Sequence, residues 1–389
     1  PRSTLFPYTT LFRSAKRGIT MRSFQNPLSD DFYRTRIHKR TEDIRGSYFR
    51  DQTAIIHSMA FRRLKKKTQV FFSPENDHVC TRIEHSLHVS TVASVICKAL
   101  GLDVEMAQAI ALGHDIGHAP FGHAGEKKLN ELASGCGGFN HEVHSLRVLD
   151  HLENEGKGLD LTYAVRDGIV SHCGEEDDRS LEPCSSVKNL DEIQKKSTIP
   201  TTYEGCVVRF SDKIAYLGRD IEDAITAGII KIEDVPQNIR DALGSKNGEI
   251  INAFVTDLVT WSERNGLIGL SDQKVALIKE LKDFNYKKIY KHQKLLTYIE
   301  YVEKIIENLF YYYLHHVTEY QMNFSMYKNA PDKAAQRIGD YIERRQSAYT
   351  LESFNATRVV VDYIAGMTDD YALKTFEEIT LPKPIEFVR

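Results

Sequence analysis

The stretch from His114 to Glu126 reads HDIGHAPFGHAGE and follows an apolar run that extends from Val104 to Leu112. The spacing of apolar residues in that run predicts a buried helix that ends near Gly113. His114 and Asp115 then lie at a helix end, where both side chains can reach one bound ion. A neutral imidazole and a carboxylate together suit a divalent cation such as Mn²⁺, Mg²⁺, Fe²⁺ or Zn²⁺.

Two side chains do not hold a metal ion by themselves, and a lone His-Asp pair is more often an ordinary polar helix end. Further candidate ligands are His85, in RIEHSL, which opens the preceding helical pattern, and Asp212, in RFSDK, which opens a later one. All four positions lie at the edge of an apolar helical segment, in the order H…HD…D. We therefore predict that His85, His114, Asp115 and Asp212 bind one divalent metal ion.

Helical periodicity continues along most of the chain. Apolar residues recur at helical spacing over 54–70 and 207–230, and again beyond residue 230. A further helix is predicted at 87–100, with one apolar stripe formed by Leu87, Val92, Val95, Ile96 and Ala99. Strand signals are weak, and the best short candidate is Cys206–Phe210. The polar segment Gly174–Pro200 is typical of an exposed excursion.

These patterns predict an all-α fold with few or no short strands. We expect an N-terminal arm at 21–52, a catalytic core at 53–230 and a helical C-terminal region at 231–389. Residues 4–14 read TLFPYTTLFRS, and back-translation of this string resembles a widely used sequencing adapter. We therefore expect residues 1–20 to be an assembly artefact, with a natural disordered arm as the alternative.

Composition narrows the class of protein. The chain has 41% hydrophobic and 27% charged residues, which is typical of a soluble globular protein and excludes a disordered one. No apolar run approaches the roughly 18 to 20 residues of a membrane helix. The net charge of −3 excludes a globally basic nucleic-acid coat but not a local basic groove. Six cysteines without a CxxC pair favour a reducing cytoplasm.

The motifs resemble those of the HD-domain superfamily of metal-dependent phosphohydrolases, and within it the deoxynucleoside triphosphate triphosphohydrolases. The resemblance extends over most of the chain. The most specific motifs are HDIGHAPFGHAGE and GMTDDYAL (Gly366–Leu373), whereas the HD pair alone is a weak marker. The other matching stretches are FRRLKKKTQVF (Phe61–Phe71), RIEHSLHV (Arg82–Val89), FNHEVHS (Phe139–Ser145) and YEGCVVRFSDKIAYLGRDIEDAI (Tyr203–Ile225).

The resemblance implies an HD-domain helical core with a helical extension, and hydrolysis of a deoxynucleoside triphosphate at its α-phosphate. The products would be a deoxynucleoside and inorganic triphosphate. His123 and Glu126, three residues apart and so on one helix face, would form an acid–base pair. Either His123 or His118 would protonate the leaving oxygen, and the sequence does not choose between them.

The resemblance also implies substrate contacts. Asp212, Tyr216 and Asp220 recur every four residues, which places them on one face of a helix. By resemblance, Tyr216 would stack on the deoxyribose, and Asp220 with Gln69 would hold its 3′-hydroxyl. The triphosphate would contact Arg82, Lys213, His118 and His141. The remaining histidines nearby are interpreted as structural: His88, His144, His151 and His172.

Alternatives remain open. One is another HD-domain phosphohydrolase: a nucleoside monophosphatase, a cyclic-nucleotide phosphodiesterase or an alarmone hydrolase. Another is a catalytically silent, metal-bound regulator that binds nucleic acid. The alarmone type usually carries an acidic pair soon after HD, and none follows Asp115 here.

The resemblance implies a homo-oligomer, with a nucleotide or single-stranded nucleic acid as a further possible effector. The basic run Arg62, Arg63, Lys65, Lys66 and Lys67 fits either a solvated helix face or a phosphate-binding surface. Base preference, metal identity and subunit number are not encoded in any pattern that we recognise.

Overall fold

The structure is a computed structural model that describes residues 24–38, 40–71, 79–174, 179–194, 198–350 and 354–381. The stretch interpreted as adapter-derived, residues 1–20, lies outside these ranges. Among the described residues, no helix combines the length and the apolar character needed to cross a membrane.

The fold is helical, which confirms the predicted all-α class. Helices of the first part are α1 (Asp30–Tyr33), α2 (Ser47–His57), α3 (Met59–Arg63), α4 (Arg82–Leu100), α5 (Val104–Gly113), α6 (Gly122–Leu132), α7 (His141–Arg147), α8 (Glu153–Gly156), α9 (Tyr163–Val170) and α10 (Tyr203–Thr226). Those of the second part are α11 (Gln237–Leu243), α12 (Asn247–Asn265), α13 (Asp272–Asn285), α14 (Gln293–Tyr320), α15 (Phe324–Lys328), α16 (Lys333–Glu343), α17 (Ala356–Ala365) and α18 (Asp369–Thr380). A minimal antiparallel pair joins β1 (Ser180–Leu181) to β2 (Ile268–Gly269).

Helix α5 forms the centre of the core, packed against α2, α4, α9 and α10. Its sequence VEMAQAIALG is apolar nearly all round, so most of the helix is buried. Asp103 caps its first turn by accepting a hydrogen bond from the Met106 amide. Burial of one large aliphatic side chain such as Ile110, which is fully buried, contributes about 1.5–3 kcal/mol. The end of this rigid helix is where His114 and Asp115 lie.

Helices of the second part of the chain pack against helices of the first part. The long helix α14 packs against α6 on one side and against α17 and α18 on the other. Lys128 on α6 donates a hydrogen bond to Glu307 on α14 at 2.9 Å. Helix α6 carries two of the predicted catalytic residues, so the C-terminal helices fix the position of that part of the site.

Several local predictions were wrong. Cys206–Phe210, the best strand candidate, lies inside α10, because its apolar residues belong to a longer helical pattern. The pattern over 54–70 is interrupted at Ser58, whose hydroxyl caps α3. On α4, Val92 and Ile96 are buried but Leu87 and Val95 are exposed.

The segment predicted to be an exposed excursion packs partly onto the body of the protein. In its described residues, Leu181 and Leu190 are buried, and β1 pairs with β2. The six cysteines are all free, and none forms a disulfide.

Candidate active site

The four predicted metal ligands come together from three segments. His85 lies in the first turn of α4, His114 and Asp115 follow α5, and Asp212 lies in α10. The Nε2 atom of His85 is 2.9 Å from Oδ1 of Asp212. The Nε2 atom of His114 is 3.7 Å from Oδ1 of Asp115 and 3.9 Å from Oδ1 of Asp212. One small ion can therefore contact side chains from all three segments.

The protonation states favour a cation at this point. His114 Nδ1 lies 2.6 Å from the Ala111 carbonyl oxygen, to which it must donate its proton. Its Nε2 lone pair is buried, has no hydrogen-bond partner within the described part of the chain and faces two carboxylates. Burial lowers the pKa of His114 to about 4, so the ring is neutral near pH 7. A lone pair and carboxylates that face one another repel unless a cation lies between them, so the residues fit a divalent metal ion.

Arg82 forms one wall of this centre. Its guanidinium is buried and donates a hydrogen bond to Oδ2 of Asp115 at 2.6 Å. Burial alone would raise the pKa of Asp115, but the charge of Arg82 and the neighbouring imidazoles lower it well below its usual value. The Nε and NH2 atoms of Arg82 are buried without a hydrogen-bond partner among the residues that the structure describes. They are free donors next to the ion site, suited to an anionic ligand.

The loop after the HD pair is locked against α7. The Ser145 hydroxyl donates to the His114 carbonyl oxygen at 2.7 Å and accepts from the Gly117 amide at 2.8 Å. A Cβ atom at position 117 would lie 2.2 Å from the Ser145 backbone nitrogen. Only glycine fits this close approach, which explains the glycine of the HDIGH stretch.

Glu126 links three histidines. It lies 3.3 Å from Nδ1 of His123, 2.8 Å from Nδ1 of His141 and 3.8 Å from Nε2 of His118. Burial alone would raise the pKa of Glu126, but the His141 and His118 imidazoles and its hydrogen bonds lower it well below its usual value. Glu126 is therefore an ionised acceptor that orients these rings. The predicted proximity of His123 to Glu126 is present in the structure.

The two candidate acids differ in environment. His118 is buried, and burial together with the charge of Arg82 lowers its pKa well below the usual value. Its ring stacks on that of His141, with centroids 4.0 Å apart. The side chain of His123, in contrast, is 76% exposed. Of the two, only His123 is in contact with solvent to exchange a proton.

The start of α6 is held in an unusual backbone conformation. Phe121 has a φ of 63°, in the left-handed region that side chains rarely adopt. Asp369, from GMTDDYAL, accepts hydrogen bonds from the Phe121 amide at 2.8 Å and from the Thr68 amide at 2.9 Å. Asp369 thus fixes both the entry of α6 and the segment that carries Gln69.

The basic residues at 62–67 differ in their burial. Lys67 is buried, and it donates hydrogen bonds to the carbonyl oxygens of His118 and, at 2.6 Å, of Ala365. Burial lowers its pKa to about 7. Lys67 therefore fits neither interpretation of the run, because it ties the HD loop to the C-terminal motif.

A cavity of about 460 Å³ opens from this centre. Its polar end is lined by His85, Asp115, Asp212, Arg82 and His118, together with His123 and His141. Its other end is lined by tyrosines and by the predicted sugar-binding residues, namely Gln69, Tyr216, Asp220, Tyr286, Tyr290 and Tyr298.

Two protein-family models match separate parts of the chain. The HD-domain family model matches residues 82–217, and the phosphohydrolase-associated domain matches 268–344 and 343–378. A protein of Caldanaerobacter subterraneus subsp. tengcongensis named deoxyguanosinetriphosphate triphosphohydrolase-like protein is 40% identical over 342 residues, which cover 88% of this chain and 87% of the relative. This chain belongs to the deoxyguanosinetriphosphate triphosphohydrolase-like family.

Relatives of the same name confirm that assignment. One from Clostridium tetani is 36% identical, with 89% of each chain covered. One from Clostridium perfringens is 39% identical, with 88% of this chain and 89% of the relative covered. The family resemblance expected from the motifs is thereby confirmed, and the chain is a member of a phosphohydrolase family.

The phosphohydrolase-associated region of this family member contributes directly to the cavity. Tyr290 and Tyr298 belong to it and line the tyrosine end. The phenol of Tyr290 donates a hydrogen bond to Oδ2 of Asp220. Burial raises the pKa of Asp220 to about 7. The phosphohydrolase-associated region thus forms part of the cavity wall and also packs against α6.

Sequence reasoning missed several residues of the site. His172, interpreted as structural, lies with its Nε2 atom 3.3 Å from that of His141. Cys173 and Tyr290 also line the cavity. Ten of the fifteen histidines lie between His78 and His172, a density that marks this region of the chain, but no local pattern marked Tyr290. Lys213 follows Asp212 on α10 and is not among the side chains that line the cavity, so its contact with a triphosphate stays a prediction.

Proposed function

We propose that this chain hydrolyses deoxynucleoside triphosphates at the α-phosphate and releases a deoxynucleoside and inorganic triphosphate. The observation that carries the proposal is the cavity that joins three residues of the centre, His85, Asp115 and Asp212, to a tyrosine-lined end. A nucleotide has the same two-part character, with an anionic chain at one end and a sugar and a flat base at the other. The names of the relatives support this substrate class.

The polar end supplies partners for the triphosphate. His85, His114, Asp115 and Asp212 would hold one divalent cation, which when bound supplies Lewis-acid stabilisation of charge on a phosphate oxygen. Arg82 contributes the two nitrogens that have no partner among the described side chains and backbone, and a guanidinium matches the geometry of phosphate oxygens. The His118 and His141 rings complete this wall of the channel.

The acid for the leaving group is assigned to His123. Proton transfer to the 5′-oxygen requires an imidazole that carries a proton near neutral pH. Burial keeps His118 neutral, whereas His123 is exposed and paired with the ionised carboxylate of Glu126. Glu126 orients the His123 ring, as a carboxylate does beside a catalytic histidine.

The tyrosine end accounts for recognition of the sugar. Asp220 and Gln69 both line the cavity, and Oε1 of Gln69 is buried with no hydrogen-bond partner in the described ranges. These groups suit the 3′-hydroxyl of a deoxyribose. Tyr216 lies between Asp212 and Asp220 along α10, where its ring can pack against the sugar and disfavour a 2′-hydroxyl.

Product analysis tests the proposal. The purified chain is incubated with Mn²⁺ and each of the four deoxynucleoside triphosphates, and the products are separated by ion-exchange chromatography. We expect deoxynucleoside and triphosphate in equal amounts. Orthophosphate or pyrophosphate as the first product would refute cleavage at the 5′ side of the α-phosphate. A chelator-treated sample serves as the control and should be inactive.

A further inference from the structure

The turn that joins α13 to α14 lies at the tyrosine end of the cavity. Residues Tyr286–Tyr290 form one π-helical turn, in which the Lys291 amide donates a hydrogen bond to the Tyr286 carbonyl oxygen at 3.1 Å. Such turns are rare and often occur at functional sites. Tyr286 and Tyr290 are four residues apart, and both line the cavity. The turn therefore presents two aromatic rings to the space that we assign to the nucleotide.

The turn is fixed to α10, the helix that carries one of the candidate metal ligands. Asn285, just before the turn, is buried, and its Nδ2 atom donates a hydrogen bond to the Leu217 carbonyl oxygen at 3.1 Å. Ile289, within the turn, is fully buried. The phenol of Tyr290, at its end, is bonded to Asp220. These contacts hold the turn against the sugar end of the proposed site, but none of them involves the ring at the start of the turn.

That ring belongs to Tyr286, which lies at the opening of the cavity. Tyr286 is 54% exposed although it lines the cavity. Asp220, to which Tyr290 is bonded, is only 2% exposed and lies deeper. From the candidate metal centre to the solvent, the order is therefore Asp212, then Asp220 with Tyr290, then Tyr286. A nucleotide has the same order of parts, with the phosphates and the base attached at opposite sides of the sugar.

A cation covers one face of the Tyr286 ring. Nζ of Lys291 lies 4.6 Å from the ring centroid, which is within the range of a cation–π contact. Lys291 is exposed and is not among the residues that line the cavity. The ammonium group therefore holds the ring from the solvent side and restricts its rotation. An ordinary surface tyrosine has neither a cavity on one side nor a cation on the other.

We propose that the ring of Tyr286, held by Lys291, is the platform on which the base of the bound nucleotide stacks. The inference rests on the proposed function, because it assigns the third part of the same substrate. Stacking on an aromatic side chain tolerates every base, since each base has a π-face. This contact therefore contributes affinity for the base without selecting one base by its edge.

A base analogue that reports stacking tests the platform. The probe is 2-aminopurine deoxyribonucleoside triphosphate with a methylene group in place of the 5′-oxygen, which cannot be cleaved and whose fluorescence falls when the base stacks on an aromatic ring. It is titrated into the full-length chain with Mg²⁺, so the result does not depend on turnover. We expect quenching on binding to the wild type and to Tyr286→Phe. No binding to the wild type would refute the nucleotide site itself, and the platform with it.

Variants separate the platform from the rest of the site. Tyr286→Leu keeps an apolar side chain without an aromatic face, so it should bind the probe about 5- to 150-fold more weakly and quench it less. Lys291→Gln should weaken binding by roughly two- to five-fold. Tyr301→Leu, at a 60% exposed tyrosine of α14 outside the cavity lining, is the matched control and should behave as the wild type. Unchanged affinity and unchanged quenching in Tyr286→Leu would overturn the proposal and leave the nucleotide site standing.

Discussion

The Asp212 carboxylate lies 2.9 Å from Nε2 of His85, although 127 residues of chain separate the two. This contact brings Asp212 to the other three candidate ligands, since Asp212 also faces His114. It links α4 to α10, two long helices that both pack on α5. The candidate metal centre is therefore a property of the folded core and not of one local motif.

Removal of Asp212 should abolish Mn²⁺ binding at this centre. In Asp212→Ala, the ion loses one of two anionic ligands, and we expect hydrolysis to fall by at least about 100-fold. The measurement is Mn²⁺ content after equilibrium dialysis, together with the rate of triphosphate release. Asp241→Ala, at an exposed position on α11, is the matched control and should keep both. Full Mn²⁺ binding by Asp212→Ala would exclude Asp212 as a ligand.

Substitution of His123 should separate metal binding from turnover. His123→Ala removes the proposed acid but no metal ligand, so we expect an unchanged Mn²⁺ content and a kcat lower by about 10²–10⁴-fold. His315, whose side chain is 72% exposed and lies on α14, is a comparably exposed control, and His315→Ala should be fully active. Normal turnover in His123→Ala would remove His123 from the mechanism.

Adjacent aspartates in GMTDDYAL should behave differently. Asp369 is buried and accepts two backbone hydrogen bonds, whereas Asp370 is half exposed and pairs with Lys66 at 3.5 Å. Asp369→Ala leaves the Thr68 and Phe121 amides without their acceptor, and we expect a loss of roughly 2–3 kcal/mol in unfolding free energy. Asp370→Ala should change stability by less than about 1 kcal/mol. Equal effects in urea denaturation would contradict the role given to Asp369.

Stability should depend on pH through Asp220. Its pKa in the folded chain is about 7, against 3.8 for a free side chain, so the folded state binds more protons between these values. Unfolding free energy then falls as pH rises from about 4 to 7, and the full cost is present above pH 7. Between pH 5 and pH 8 this amounts to roughly 2–3 kcal/mol.

The variant Asp220→Asn lacks this titration. In urea denaturation of chelator-treated protein, wild type should lose that stability between pH 5 and pH 8, and Asp220→Asn should lose correspondingly less. Parallel pH dependences of the two proteins would show that Asp220 titrates normally.

The proximities within the candidate site that the sequence predicted are those with local signals. The end of an apolar helix marked His114 and Asp115, and a spacing of four placed Asp212, Tyr216 and Asp220 on one face of α10, which lines the cavity. His123 and Glu126 are close for the same reason. In each case helix geometry alone determines the relationship.

Local sequence patterns did not predict contacts between distant segments of the chain. Asp369 and Phe121 are 248 residues apart, and Tyr290 and Asp220 are 70 residues apart. Lys67 was grouped with its basic neighbours, because periodicity shows no difference between a lysine that faces water and one buried against two carbonyl oxygens. On α4, exposure of Leu87 and Val95 shows that an apolar residue at helical spacing is not always on the buried face.

The most direct test of the four-ligand centre is the anomalous scattering of a crystal grown with Mn²⁺. We predict one strong peak at coordination distance from Nε2 of His85, Nε2 of His114 and the carboxylates of Asp115 and Asp212. The same crystal form of Asp212→Ala should lack the peak. A wild-type map with no peak there, and with His85 still hydrogen-bonded to Asp212, would contradict the central claim that these four side chains hold one cation.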